Sequence, residues 1–228
     1  MAENGRYQSP NHDARPGGAA IDILVLHYSG METADAALAR LCDPEALVSA
    51  HYLIDEDGAV RRLVAEERRA WHAGVAWWRG TRDVNGRSLG IELVNPGHEF
   101  GYRPFAEAQM AALEDLARDI LARHPIEARN VVGHSDVAPR RKMDPGELFD
   151  WPRLAAAGIG LWPDGAPADG ADADEDEAKA MLADFGYETD DLGMTVTAFQ
   201  RHFRPGRVDG TMDGDTAGRL RGLLALCR

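Results

Sequence analysis

The chain reads as a mixed α/β protein: a central mixed β-sheet flanked by helices over residues 20–162, then a small three-helix unit over residues 178–228. Three observations predict this. Short apolar runs alternate with longer amphipathic segments in the first part, the signature of strands interleaved with covering helices. The stretch Pro163 to Glu177, PDGAPADGADADEDE, holds seven acids and no Lys or Arg, and separates the two parts. Beyond it, apolar residues recur at helical spacing only.

Residues 1–19 form an N-terminal extension ahead of the first strand signal, the apolar run Ile21 to His27. Glu32 to Leu41 is Ala-rich and helical, with Thr33 suited to cap it. Ser49 to Asp55 and Ala59 to Val64 flank Glu56-Asp57-Gly58, a hairpin signal because Gly supplies positive φ. Ser88 to Val94 is a further strand. Phe105 to Arg123 is a long helix behind Pro104, with Ala112, Leu113, Leu116, Ile120 and Leu121 on one face and His124-Pro125 as its stop. Asn130 to Gly133 is a last short strand leading into His134. In the tail, Glu177 to Phe185 is one helix; Val196, Phe199 and Phe203 stripe a second; Leu220, Leu223, Leu224 and Cys227 stripe a third. A turn-rich segment, Pro205 to Gly210, joins the last two.

Composition excludes several function classes. The 228 residues are 44% hydrophobic, too apolar for a wholly disordered chain. The longest strongly apolar run, Ile23 to Leu26, falls far short of the ~20 residues that span a bilayer. The start lacks a basic region followed by an apolar stretch, so the chain carries no evident export signal. A balance of 25 basic against 38 acidic residues argues against nucleic acid. Seven charges of the net −13 lie in the Pro163–Glu177 stretch, which reads as an acidic flexible linker. Cys42 and Cys227 make neither a disulfide framework nor a metal cluster and read as small packed residues. No feature of the sequence sets an oligomeric state.

Candidate chemistry gathers at strand ends. His27 closes the first strand, His134 follows the last, and Asp144 lies ten residues further on. Two histidines and a carboxylate are donor types that a catalytic zinc takes, with a fourth position left for water. Spacing alone favours a hydrogen-bonded structural role for strand-end histidines over a ligand role. There is no HExxH and no GxSxG. Lys142 stands out by composition: only Lys142 and Lys179 are lysine, against 23 arginines. Lysine kept in Arg140-Arg141-Lys142 suggests a site suited to a compact point charge.

Five segments occur in order: His27-Tyr28-Ser29; Ser49-Ala50-His51-Tyr52-Leu53-Ile54-Asp55; Ala70-Trp71-His72-Ala73-Gly74; Leu89-Gly90-Ile91-Glu92-Leu93; and Gly133-His134-Ser135-Asp136 through Arg141-Lys142-Met143-Asp144-Pro145-Gly146. Together they resemble the zinc N-acetylmuramoyl-L-alanine amidases related to phage T7 lysozyme and the peptidoglycan recognition proteins, in the branch that includes the anhydromuropeptide amidases. The resemblance implies zinc held by His27, His134 and Asp144. It implies Glu92 as the catalytic carboxylate, Lys142 as a cation beside the metal, and Tyr28, Trp71 and His72 along the substrate groove. The substrate would be peptidoglycan or a muropeptide, cut between N-acetylmuramic acid (in its 1,6-anhydro form or not) and L-alanine. The tail, in Val196 to Phe203 and Val208-Asp209-Gly210, resembles the peptidoglycan-binding domain often attached to such enzymes.

Two positions depart from the pattern. Where some members carry a tyrosine before the histidine of the second segment, this chain has Ala50; and the third ligand is Asp144 rather than cysteine. His51 reads as structural or as part of the site. Trp77 and Trp78 read as stacking platforms or as core. The rival reading is a non-catalytic peptidoglycan-binding protein on the same fold, against which stands the retention of all three ligand types, Glu92 and Lys142. The missing export signal points to the cytoplasm, and the tail points to the envelope; the N-terminal evidence favours the cytoplasm.

Overall fold

A computed structural model describes residues 7–163 and 171–227. The chain opens with β1 (His12–Ala14), β2 (Ile23–Tyr28) and α1 (Ala34–Cys42), then β3 (Tyr52–Ile54), β4 (Val60–Arg62) and β5 (Arg68–Ala70). Next come α2 (Val84–Arg87), β6 (Ser88–Leu93), α3 (Gly97–Phe100), α4 (Glu107–Arg123), β7 (Val131–Gly133), α5 (His134–Val137) and α6 (Trp151–Ala156). The tail supplies α7 (Glu175–Phe185), α8 (Leu192–Phe203) and α9 (Gly214–Leu226).

Five strands form the central sheet in the order β4-β3-β6-β2-β7. β2 runs parallel to β6 and β7, β3 parallel to β6, and only β4 is antiparallel. The mixed sheet is therefore as the alternating pattern predicts. The β3–β4 hairpin turns at Gly58, whose φ of +86 a side chain would resist. Thr33 caps α1 by accepting from the Ala36 N–H at 3.2 Å. A separate two-stranded ribbon pairs β1 with β5.

Period-two alternation divides the sheet into two faces. Leu24, Leu26, Leu89, Ile91, Leu93 and Ile54 face α4 and α6, in one core with Met110, Leu113, Ala117, Ile120 and Leu154. The buried stripe of α4 is thus rotated from the predicted one: Ala112, Leu116 and Leu121 sit at its margin. On the opposite face, Leu53 packs under Leu38 and Leu41 of α1, while Ile23, Val25 and Val132 pack against the tail.

Residues 7–19 are tied to the body of the fold: Ser9 Oγ donates to the Leu41 carbonyl at 2.5 Å, and the Arg15 guanidinium reaches the Glu66, Asn85, Gly86 and Ser88 carbonyls. Two expectations change here. The acidic stretch does not run unstructured to Glu177. Asp174 caps α7 through the Glu177 N–H, and Glu175, Asp176 and Glu177 form its first turn, at the positive end of the helix dipole. Residues 164–170 of the predicted linker lie outside the described residues. Finally, the tail helices do not enclose a core of their own. Leu182, Phe185, Val196, Phe199, Phe203, Leu220 and Leu223 share one buried cluster with Ile23, Val25, Val132 and Trp78.

A buried ionic knot ties the hairpin side to α4. Glu66, 8% exposed, accepts from Tyr52 Oη at 2.6 Å, Arg123 Nη2 at 2.8 Å and His124 Nε2 at 2.7 Å. Burial alone would raise its pKa, but those three donors outweigh burial and hold it at about 2. A folded value below the unfolded one stabilises fully above the ordinary carboxylate range, and that stability is lost as pH falls toward 2. Glu66→Gln is expected to cost ~1–3 kcal/mol at pH 7 and progressively less below pH ~4, as read by urea unfolding at both pH values.

Candidate active site

Parallel register assembles the site. His27 of β2 lies opposite Glu92 of β6, which lies opposite Leu53 of β3. Leu26 pairs with Gly133, so the next residue along β7, His134, falls beside His27. Three functional side chains thus stand at the carboxyl ends of neighbouring parallel strands, where ligands of open α/β sheets bind. Asp144 joins them from the loop after α5, held by the Ser135 N–H donating to the Asp144 carbonyl at 2.9 Å.

His27 Nδ1, His134 Nδ1 and Asp144 Oδ2 converge at 2.9–3.0 Å from one another, all three residues buried, a group able to hold a metal ion. The outer nitrogens fix the rings. His134 Nε2 can only donate to the Ala73 carbonyl at 3.0 Å, which leaves Nδ1 of the neutral ring with its lone pair toward the cluster. His27 Nε2 meets His72 Nδ1 at 3.0 Å, and His72 Nε2 meets Ser88 Oγ at 3.1 Å. With Ser88 accepting, the donors run in one direction and His27 Nδ1 is likewise free to ligate. Burial, reinforced by the neighbouring His134, lowers His27 to about 4, so the ring is neutral at ordinary pH. Asp144 is held well below the usual carboxylate range: burial opposes its charge, but His134 and His27 outweigh it.

Glu92 faces the same space. Its Oε2 is buried with no hydrogen-bond partner. Burial first, then the Asp144 charge, push its carboxyl well above the usual range, against the opposing pull of Lys142. A buried carboxylate oxygen without a protein partner needs one from outside the chain. Beside the donor triangle, a water or a substrate amide meets that need. The Lys142 ammonium makes no hydrogen bond or ion pair among the described residues. It lines, with Tyr28, Trp71, Glu92 and Arg40, a cleft of about 240 Å³ over the cluster. A wider groove of about 1000 Å³ between β4 and α4 is lined by Glu66 and Arg123, already paired with each other, and carries no comparable chemistry.

Two aromatics, Tyr28 and Trp71, stand in the cleft wall, and Tyr28 is braced from behind. Tyr28 Oη meets His98 Nδ1 at 3.0 Å, and His98 stacks on Tyr102 with centroids 4.3 Å apart. Tyr102 Oη in turn donates to the Pro145 carbonyl at 2.7 Å, bracing the loop that carries Asp144. Burial, then the Asp144 charge, raise Tyr28 to about 12, so it stays a neutral phenol.

His72 lines the cleft as expected, and both its ring nitrogens are engaged, one by His27 and one by Ser88, so it also orients the His27 ring. His51 is structural: Nδ1 accepts the Gly90 N–H, and Nε2 lies by the Arg68 carbonyl and Arg15. Trp78 is core, 1% exposed, while Trp77 is half-buried with the Arg82 guanidinium over its ring. Two contributors went unread in the sequence. Gly90 gives His72 its space, since a Cβ there would stand 2.5 Å from His72 Cγ; a glycine inside a strand was the available signal. Asn85 Oδ1 accepts from the His72 and Ala73 N–H groups and carried no signal.

A donor triangle at parallel strand ends, an orphaned carboxylate and a free ammonium around one cleft make the layout of a metal-assisted hydrolase. Comparison with known proteins agrees. A family model described as N-acetylmuramoyl-L-alanine amidase matches residues 17–147. The N-acetylmuramoyl-L-alanine amidase AmiD of Escherichia coli (strain K12) is 39% identical over 251 residues, 98% of this chain and 90% of AmiD. The structure of that AmiD with the substrate anhydro-N-acetylmuramic acid-L-Ala-D-γ-Glu-L-Lys superposes with a TM-score of 0.83 at 37% identity, over 93% of this chain and 92% of that one. The 1,6-anhydro-N-acetylmuramyl-L-alanine amidase AmpD of Enterobacter cloacae is 36% identical over 179 residues, 68% of this chain and 94% of AmpD. The chain belongs to the N-acetylmuramoyl-L-alanine amidase family.

Gly90→Ala tests the support of the ligand rings. The added methyl must displace His72, and with it His27. The expected outcome is a loss of ~1–3 kcal/mol in thermal stability and metal affinity weakened ~10-fold or more, read by melting curves and chelator competition.

Proposed function

We propose that this amidase is a zinc enzyme that hydrolyses the amide between N-acetylmuramic acid, in its 1,6-anhydro form, and L-alanine of the stem peptide. The observation that carries the mechanism is the orphaned Glu92 Oε2 beside the His27–His134–Asp144 triangle. Two neutral imidazole nitrogens and one carboxylate, with a fourth direction opening on the cleft, are the donor set of a catalytic zinc site. Zinc held there supplies a Lewis acid that polarises the amide carbonyl and acidifies water.

The chain's own groups do the rest. Glu92 takes a proton from the attacking water as its oxygen bonds to the carbonyl carbon. The Lys142 ammonium faces the charge that develops on the carbonyl oxygen and stabilises it. Glu92 then returns the proton to the alanine nitrogen as the C–N bond breaks, leaving a carboxylic acid and a free amine. The elevated Glu92 pKa makes its carboxylate a stronger base for the first transfer, and the protonated carboxyl is then the acid for the second. Tyr28 and Trp71 form the wall against which the sugar or peptide lies. The substrate bound in the AmiD structure, an anhydromuramyl tripeptide, supports the anhydro form. The rival reading, binding without cutting, leaves Glu92 and Lys142 without a task.

No described helix is long and apolar enough to cross a membrane. Soluble anhydromuropeptides as the substrate would place the enzyme in the cytoplasm; preference for intact sacculi would place it in the envelope and give the tail a wall-binding role. Cell fractionation paired with assays on both substrates distinguishes the two.

Glu92→Gln is expected to lower kcat by ~10²–10⁴-fold with zinc content unchanged, measured by release of stem peptide from a defined muropeptide and by metal analysis. Chelation should abolish release, and zinc should restore it. Release that survives both treatments overturns the proposal. Because Glu92 must be ionised to act as base, kcat/KM should rise with pH along a limb whose midpoint lies above the ordinary glutamate range. That limb should vanish from the residual activity of Glu92→Gln.

A further inference from the structure

A buried carboxylate, Asp136, links the tail helices to the turn that begins at His134. Asp136, 0% exposed, sits in α5, two residues after His134. Its Oδ2 accepts the Gly133 N–H at 2.7 Å and His202 Nδ1–H at 2.7 Å; its Oδ1 accepts Tyr187 Oη–H at 2.6 Å. His202 belongs to α8, and Tyr187 to the segment between α7 and α8. The His202 ring, 3% exposed, is stacked on Trp151 at 3.6 Å between centroids and on Phe203 at 3.7 Å, so its position is set by packing. Tyr187 is 2% exposed, and burial together with the Asp136 charge keeps its phenol protonated and donating.

Three site residues depend on α5. His134 is its first residue. The Ser135 N–H holds the Asp144 carbonyl, and the Ala138 carbonyl accepts the Lys142 N–H at 3.1 Å. Asp136 is therefore the peg by which the tail fixes the turn carrying one ligand and the anchors of the other two residues. We propose that Tyr187 and His202 are positioning residues for the metal centre, acting through Asp136, so that the docked tail tightens metal binding. The inference rests on the zinc reading of the site and extends it to residues some sixty positions away in the chain.

Conservative variants separate positioning from bulk. His202→Phe keeps the stack on Trp151 and removes the donor to Asp136; Tyr187→Phe removes one hydroxyl. His202→Asn restores an N–H on the branch that corresponds to Nδ1. In the full chain, zinc affinity is measured by competition with a chromogenic chelator, the visible spectrum is recorded for the cobalt-loaded protein, and melting is recorded for the metal-free protein. The expected result is a loss of zinc affinity of ~10-fold or more in His202→Phe and Tyr187→Phe, with an altered cobalt spectrum and recovery in His202→Asn. Wild-type affinity and spectrum in both Phe variants overturn the inference, even if metal-free melting falls, because that pattern is structural support alone. Failure of His202→Asn to recover affinity also counts against it. A wild-type chain that binds no zinc overturns the zinc reading itself, a result distinct from equal binding by wild type and variants.

Discussion

The parallel pairing of β2 with β6 and β7 is the constraint on which the rest depends. Parallel strands put their carboxyl ends on one edge, and this register sets His27 level with Glu92 and next to His134. A slip of one residue would turn Glu92 into the α4 face and bring Leu93 to the site, because side chains alternate with period two. The apolar residues that bracket the functional ones enforce the register: Leu24, Leu26, Ile91 and Leu93 reach their core only in this alignment. Hydrophobic burial on one face thereby fixes chemistry on the other.

That second face must keep charged and basic groups in dry surroundings, and it does so by matching each outer atom to a partner. His134 has the Ala73 carbonyl, His27 has His72, and His72 has Ser88. Within this shell Glu92 Oε2 is a buried carboxylate oxygen with no partner. Unmatched polarity in a matched environment is where external chemistry enters, and it falls on the residue proposed as the base. Gly90 makes the shell possible, since any side chain there would occupy the space of His72.

Local signals made much of this legible. The strand runs, the Thr33 cap, the Gly58 turn and the His124 stop are each decided within a few residues, and all reappear. Two strand-end histidines and Asp144 were visible as donor types, and the ordered motifs tied them to Glu92 and Lys142. What was not legible is set by pairing over long distances. Nothing near His72 reveals that its Nδ1 meets His27, 45 positions back. The short strands β1 and β5 exist only through each other. The α4 face was misjudged because Met110 and Ala117 are buried by a sheet whose tilt the helix sequence does not encode. Charge misled most: an acidic run predicts an exposed spacer, yet its last residues cap and begin α7.

The same acidic run suggested two independent units, and the packing argues for one. Ile23, Val25 and Val132 are sheet residues on the site's own face, and they are covered by Phe185, Phe199 and Phe203 rather than by water. AmpD of Enterobacter cloacae matches 68% of this chain with 94% of its own length, so about a third of this chain has no counterpart in that match. In this chain that apolar face is dressed for a partner it carries with it. Removing the tail would expose apolar surface beside the His27–His134–Asp144 group and strip Asp136 of two of its three donors, leaving a buried charge underpaired. A module tethered only for reach would not need Tyr187 and His202 buried against the turn that begins at His134. Their burial ties the tail to that turn at the level of packing.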